Sequence, residues 1–92
     1  MKIDIHAKNM HVEKDLSDFI NKKVGKLMTF HSYILDTAVY LKDEGVLQKE
    51  VQLKLNIKNQ TLVCKEKGET YEQALERTVD AMKRLLEKSK QK

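Results

Sequence analysis

The sequence predicts an α+β fold, a four-stranded mixed sheet with two helices packed on one face. In four segments apolar residues alternate with polar ones, and in two longer segments they recur at helical spacing. Along the chain these segments follow the order β-α-β-β-β-α. A strand, a helix and a strand in succession favour parallel pairing of the first two strands, while short turns make the later pairs antiparallel. Because each strand has one apolar face, both helices are expected on the same side.

The size and composition of the chain predict one domain spanning residues 1–92. The 92 residues carry a formal net charge of +4, and no apolar run approaches the roughly 20 residues that cross a bilayer. Charged residues near the N-terminus argue against a secretory signal. Cys64 is the single cysteine, so an internal disulfide is excluded. These features predict a cytoplasmic protein.

The first strand and the first helix follow from two different periodicities. Ile3, Ile5 and Ala7 alternate with polar residues, which predicts a half-buried strand. From about Lys14 to Phe30 one apolar stripe at i, i+3, i+4 spacing predicts a helix. Its members are Leu16, Phe19, Ile20, Val24, Leu27 and Met28. Glu13 stands where a Ser, Thr or Asp cap would be expected, so the start of this helix is weakly signalled.

Three strands joined by short turns are predicted in the middle of the chain. The apolar side of the second strand is expected to hold Leu35, Thr37, Val39 and Leu41, with a turn around Asp43–Gly45. The third strand alternates cleanly, and its apolar residues are Val51, Leu53, Leu55 and Ile57. A tight turn at Asn59–Gln60 then leads into a last strand that starts with Leu62 and Cys64.

The last helix has the clearest start signal. Thr70 with Gln73 three residues later matches the capping-box pattern. An apolar stripe follows, made of Leu75, Thr78, Val79, Met82, Leu85 and Leu86.

Positive charge concentrates on the two predicted helices. Residues 21–33 contain three lysines and no acid, and residues 81–92 contain five basic residues and one acid. Residues 36–50 instead contain four acids against two lysines. At about 100° per residue Arg77, Arg84 and Lys88 share one row of the last helix, whereas Lys23 falls inside the apolar stripe of the first helix. Its ammonium must therefore reach an edge or a groove.

If both helices pack on one side of the sheet, their basic flanks can border a shared groove that suits a phosphate backbone. A solvated lysine-rich surface is the alternative explanation. The candidate RNA-binding residues are Lys8, Lys22, Lys23, Lys26, Arg77, Lys83, Arg84, Lys88, Lys90 and Lys92.

No catalytic, cofactor or metal motif is present in the sequence. His6, His11 and His31 do not combine with Cys64 at zinc-like spacing, so they are interpreted as ordinary surface residues, and Cys64 is interpreted as a small core residue. Gly-rich phosphate loops and nucleophile–base arrangements are missing, which predicts a protein that is not an enzyme. Because the tyrosines are scattered, recognition of RNA backbone and shape is favoured over base stacking.

The chain resembles the short ribosome hibernation-promoting factors and ribosome-associated translation inhibitors of the sigma-54 modulation protein family. The resemblance runs over nearly the whole chain, through residues 3–12, 16–27 and 74–90. Lys23, Lys26, Arg84, Lys88 and Lys90 coincide with basic positions of the family. Element order, length and these basic positions carry the resemblance together.

This resemblance implies a double-stranded-RNA-binding-domain-like fold and binding in the small-subunit channel that mRNA and tRNA otherwise occupy. It implies inhibition of translation and stabilisation of idle ribosomes during stress or stationary phase. The partners would be the 16S rRNA of the small subunit and, in some bacteria, a separate ribosome modulation factor. The chain is expected to lack both the C-terminal dimerisation domain of long family members and the acidic tail of the inhibitor subtype.

Two other functions remain open from the sequence. One is a non-catalytic protein-interaction or oligomerisation module that uses the outer sheet face or an edge strand. The other is a small acylphosphatase-like enzyme, which is disfavoured because no phosphate loop is present.

Overall fold

The computed structural model shows four strands and two helices in the predicted order. It describes residues 3–8, 10–31 and 33–90, with side chains at all of these except positions 30, 89 and 90. The elements are β1 (Ile3–Ala7), α1 (Lys14–Phe30), β2 (Ile34–Gly45), β3 (Gln48–Ile57), β4 (Gln60–Gly68) and α2 (Tyr71–Lys90).

The strands form one sheet in the order β1-β2-β3-β4. The β1–β2 pair is parallel, and the β2–β3 and β3–β4 pairs are antiparallel, which confirms the predicted mixed sheet. Both helices pack on one face and bury a core between themselves and the strands. The apolar stripes of α1 and α2 supply half of it, and the rest comes from alternate residues of the strands, such as Val39, Leu53 and Leu55.

One predicted core position is wrong. Leu35 was expected on the apolar side of β2, but its side chain is 63% exposed, and Ile34 is buried instead. A β-bulge between Ile34 and Asp36 shifts the β2–β3 register and reverses the alternation at this point. Beyond the bulge Thr37, Val39 and Leu41 are buried as predicted.

Both hairpin turns lie beside their predicted positions. Strand pairing continues to Gly45 and Gln48, so the β2–β3 turn is Val46–Leu47 rather than Asp43–Gly45. Pairing of Ile57 with Gln60 likewise places the second turn at 58–59, one residue before the predicted Asn59–Gln60, and β4 starts at Gln60 rather than Leu62. The predicted and observed turns differ because strand pairing extends further than local turn chemistry indicates.

The two helix starts differ as the sequence predicts. Glu13 precedes α1 without a side-chain capping bond. At α2, Thr70 Oγ1 accepts a hydrogen bond from the Gln73 backbone N–H at 3.1 Å, and Gln73 Oε1 accepts one from the Glu69 backbone N–H at 2.7 Å. The reciprocal bond thus goes one residue earlier than in the standard capping box.

Buried side chains fix α2 on the sheet. Thr78 is fully buried, and its Oγ1 lies 2.7 Å from the Ala74 carbonyl oxygen and 3.1 Å from the Val51 carbonyl oxygen on β3. A Cβ on Gly68 would meet the Ala74 backbone nitrogen at 2.8 Å, so β4 and the first turn of α2 pack too closely for a larger residue. These contacts set the rotation of α2 and therefore where its basic residues point.

Candidate nucleic-acid interface

The two helices border a groove that collects three of the predicted RNA-binding lysines. We call it the interhelical groove, a recess of about 200 Å³. Its lining residues are Lys23, Lys26, Leu27, His31, Val79 and Lys83. Leu27 and Val79 are buried at its floor, while Lys26 and Lys83 are exposed. Apolar packing thus holds the helices at a distance where lysines from both can face one ligand.

Lys23 reaches this groove as its unusual sequence position predicts. Its side chain is 36% exposed, and its Nζ lies 3.6 Å from Glu76 Oε2 on α2. The same Nζ lies 5.6 Å from the centroid of the Phe19 ring. The stem is therefore packed along the helix while the ammonium remains at the surface. A partly exposed ion pair of this length stabilises a fold by no more than about 1 kcal/mol.

Lys26 and Lys83 have no matching acid. Within the described part of the chain, neither ammonium has a carboxylate within 4 Å, and Glu76 is the one acid paired with a groove lysine. Three ammonium groups around a small recess raise the local positive potential. Such a recess attracts a phosphate, which would relieve the repulsion between the lysines.

A second cluster lies on a different side of α2, where Arg77 and Arg84 border a shallow recess with Glu66 and Asp80. Arg77, Arg84 and Lys88, the outer row, are all exposed. Arg77 Nη1 donates to the Lys67 carbonyl oxygen at 2.7 Å, which ties α2 to the edge strand β4. A guanidinium carries five N–H donors, so this bond leaves others for a ligand. Glu66 and Asp80 line this recess, but none of the three cations of the outer row has a carboxylate within 4 Å in the described structure.

The remaining predicted residues are spread over the surface. Lys22 is exposed on α1, about 100° around the helix from Lys23. Lys8 follows β1 and lines a separate recess with His6 and Tyr40, so the structure does not bring it to the interhelical groove. The side chain of Lys90, and Lys92 as a whole, lie outside the described residues.

His31 was missed by the sequence reasoning, which treated it as an ordinary surface residue. It ends α1 and lines the interhelical groove beside the lysines. Its Nδ1 lies 3.1 Å from Tyr33 Oη, and the two rings meet edge to face. Its position depends on how the two helices pack, which no local pattern reports.

The described residues give little support to a reactive thiol, a metal site or a membrane-spanning helix. Cys64 is half-buried against the core, and burial raises the pKa of its thiol, which disfavours a nucleophilic thiolate. No group of three or more metal-ligating side chains occurs in residues 3–8, 10–31 and 33–90. Neither described helix combines the length and apolar character that crossing a bilayer requires.

Comparisons with known proteins find one matching family model and solved structures of the same fold. The sequence model of the family described as Sigma 54 modulation protein / S30EA ribosomal protein matches residues 3–92. No curated protein sequence matches the chain. Among solved structures, a ribosomal subunit interface protein from Coxiella burnetii is similar with a TM-score of 0.91, at 15% identity over 100% of both chains. The N-terminal domain of Thermus thermophilus Protein Y has a TM-score of 0.83 at 18% identity, covering 96% of this chain and 98% of the other.

Proposed function

Because this chain belongs to the Sigma 54 modulation protein / S30EA ribosomal protein family, we propose that it is a non-catalytic, ribosome-associated inhibitor of translation. In this proposal it binds the 16S rRNA of the small subunit and lies in the decoding channel. There it excludes mRNA and tRNA and stabilises idle ribosomes. The chain acts as a single ribosome-binding domain, with or without a separate modulation factor.

The observation that carries the proposal is the interhelical groove. Lys26 and Lys83 come from different helices, face one recess and have no carboxylate within 4 Å of their ammonium groups in the described structure. Lysine-rich surfaces that only keep a protein soluble are usually interleaved with acids, as the β2–β3 hairpin of this protein is. The groove departs from that pattern, so its lysines are available to bind an anion. In a ribosome, that anion would be the phosphate backbone of the rRNA.

The outer row extends the basic surface of α2 away from the groove. Arg84 and Lys88 are exposed like charges four residues apart, an arrangement that costs an isolated helix a few tenths of a kcal/mol. A phosphate placed between them would remove this repulsion. Together the two clusters offer six cations, and about five phosphate contacts among them would make the affinity depend steeply on salt.

The experiment is co-sedimentation of the purified protein with 30S subunits at moderate salt. The double variant Arg84→Glu/Lys88→Glu should no longer sediment with the subunits, while its circular dichroism spectrum stays unchanged. The matched control is Lys14→Glu/Lys65→Glu, which changes the net charge equally at two exposed residues outside both clusters. The control should bind like the wild type.

Retained co-sedimentation of the Arg84→Glu/Lys88→Glu variant would count against the proposed surface. If the wild-type protein ignores 30S subunits even in dilute buffer, the ribosomal role fails. A protein-interaction module then becomes the better reading, and it would show as sedimentation with lysate proteins that survives RNase.

A further inference from the structure

The open face of the sheet carries a stacked aromatic pair. His6 on β1 and Tyr40 on β2 are register partners in the parallel ladder. Their ring centroids lie 4.9 Å apart, with an angle of 15° between the ring planes. This separation is close to the spacing of neighbouring strands, so the rings stack across the sheet from one strand to the next.

The pair lies at an edge of the sheet. β1 is the outermost strand of the order β1-β2-β3-β4, so no strand of the described sheet lies beyond His6. Since Tyr40 covers one face of the imidazole, the opposite face is directed past the sheet edge. Both side chains are exposed, with Tyr40 at 37%. A third flat ring could therefore extend the stack by one layer without displacing either residue.

Polar groups surround the pair in a recess of about 680 Å³. Lys8, two residues beyond His6, is exposed and has no ion-pair partner in the part of the chain that the structure describes. Lys42 and the buried Glu50 also line the recess, but Lys42 Nζ lies 3.0 Å from Glu44 Oε2 and faces Glu50 in the strand register, so its charge is matched by these acids. Gln52, the register partner of Tyr40 on β3, brings an amide that can both donate and accept hydrogen bonds.

We propose that this face, through His6, Tyr40 and Lys8, holds one unpaired nucleobase of a bound RNA strand. The base stacks on the exposed imidazole face, and Lys8 contacts the phosphate of the same strand. A nucleotide has a planar base and an anionic phosphate. The base matches the stacked pair of His6 and Tyr40, and the phosphate matches the neighbouring Lys8. The inference rests on the proposed function, since the RNA partner is the same, but it concerns a surface other than the interhelical groove.

The proposed stacking differs from what the sequence led us to expect. The tyrosines are scattered along the chain, which disfavoured base stacking. The fold, however, places Tyr40 beside a histidine that had been treated as an ordinary surface residue. A cross-strand aromatic pair also stabilises a sheet on its own. The test must therefore separate binding of a base from structural support.

The test compares a hexaadenylate RNA with the abasic hexamer of the same backbone, by NMR titration of the isotope-labelled protein. We expect the base-bearing strand to bind about fivefold or more tightly, the size of one stacking contact. The His6 and Tyr40 ring resonances should shift upfield with hexaadenylate and stay in place with the abasic strand. Equal binding of the two strands, or shifts confined to the helices, would overturn the inference.

Two variants complete the experiment. His6→Leu should bring the ratio of the two affinities close to one, whereas Tyr40→Phe should keep it. If His6→Leu does not fold, His6→Gln makes the same test with a polar replacement. Concentration-dependent self-association that His6→Leu abolishes, without any preference for bases, would overturn the proposal in favour of a protein contact.

Failure of this site and failure of the proposed function give different results. Loss of the base preference with intact 30S co-sedimentation removes only the stacking site. Loss of 30S binding by the wild type removes the ribosomal role, whatever the oligonucleotides do. The variant Lys26→Gln/Lys83→Gln should keep the preference for hexaadenylate, because the groove contributes to backbone affinity alone.

Discussion

The interhelical groove holds three lysines, and three others cluster at the turn end of the β2–β3 hairpin, yet their surroundings are opposite. There Lys49 of β3 lies 2.8 Å from Asp43, and Lys42 of β2 and Lys67 of the neighbouring β4 lie 3.0 and 3.4 Å from the two carboxylate oxygens of Glu44. In the groove, one lysine of three has an acid partner, at 3.6 Å. The density of lysines is therefore a poor guide to an anion site, and the neighbouring acids decide whether the charge is available.

The close ion pairs of the hairpin also shift the pKa values of its charged side chains. Lys42 and Lys67 lower the pKa of the Glu44 carboxyl, and Lys49 lowers the pKa of Asp43. The hydrogen bond from Lys42 to Glu44 raises the pKa of that lysine in return. Lys42 and Glu44 thus hold each other in their charged forms, and the close ion pairs leave little net charge at the hairpin for a phosphate.

Among changes to the groove and the hairpin, the largest effect should come from removing the unmatched charges of the groove. Lys26→Gln/Lys83→Gln should weaken 30S affinity by about tenfold or more near physiological salt, since two phosphate contacts are lost. The matched variant Lys42→Gln/Lys67→Gln also removes two charges but should change affinity by less than about twofold. Filter binding or fluorescence anisotropy with labelled protein measures both. An equal loss from both variants would show that net charge matters and position does not.

Salt dependence sharpens the same comparison. With about five phosphate contacts, log affinity plotted against log salt should fall with a slope of roughly −3.5 to −4.5. For Lys26→Gln/Lys83→Gln the slope should be shallower by roughly 1.4 to 1.8, because two phosphate contacts are lost. For Lys42→Gln/Lys67→Gln the slope should be unchanged. Titration of the complexes with potassium chloride gives the slopes. A hairpin variant with the shallower slope would reverse the assignment of the contact surface.

A smaller effect is expected from Glu76, the acid that borders the groove. Glu76→Gln releases Lys23 and removes a negative charge near a bound phosphate, so 30S affinity should rise a few-fold. Glu72→Gln, one turn earlier on α2, is the control and should have a weaker effect, because Glu72 has no lysine within ion-pair distance in the described structure. Reduced affinity in Glu76→Gln would mean that the ion pair positions Lys23 for binding.

The smallest effect concerns pH and is confined to the hairpin. Because the folded-state pKa of Glu44 is lowered, its contribution to stability is present above the unfolded-state value and is lost as pH falls through the lower folded value. NMR titration should place the Glu44 midpoint below that of an ordinary glutamate, and Lys42→Gln/Lys67→Gln should move it upward. An unchanged midpoint in the variant would contradict the hairpin pairing.

The sequence predicted most of the fold because the controlling patterns are local. Alternation identified the strands, the stripes identified both helices, and Thr70 marked the start of α2 through its own side-chain bond. The bulge that exposes Leu35 and the position of the Val46–Leu47 turn depend on pairing between strands. Side-chain patterns within one strand do not report that pairing.

The candidate site could be predicted in part for the same reason. Lys23 stood out because it interrupts an apolar stripe, and it does reach the interhelical groove. No such signal marked His31, because its place in the groove depends on how the two helices pack. None marked His6 and Tyr40 either, because the register of β1 and β2 makes them neighbours. The sequence predicted parallel pairing of the first two strands but no register, so it did not show that His6 and Tyr40 are partners.

Lysine footprinting on the 30S subunit tests the central claim most directly. Acetylation of the free and bound protein, read by mass spectrometry, compares every lysine of the unmodified sequence in one experiment. The account predicts strong protection of Lys23, Lys26 and Lys83, with Lys14 and Lys65 as reactive in the complex as in free protein. Protection of Lys14 and Lys65 with full reactivity in the interhelical groove would contradict it.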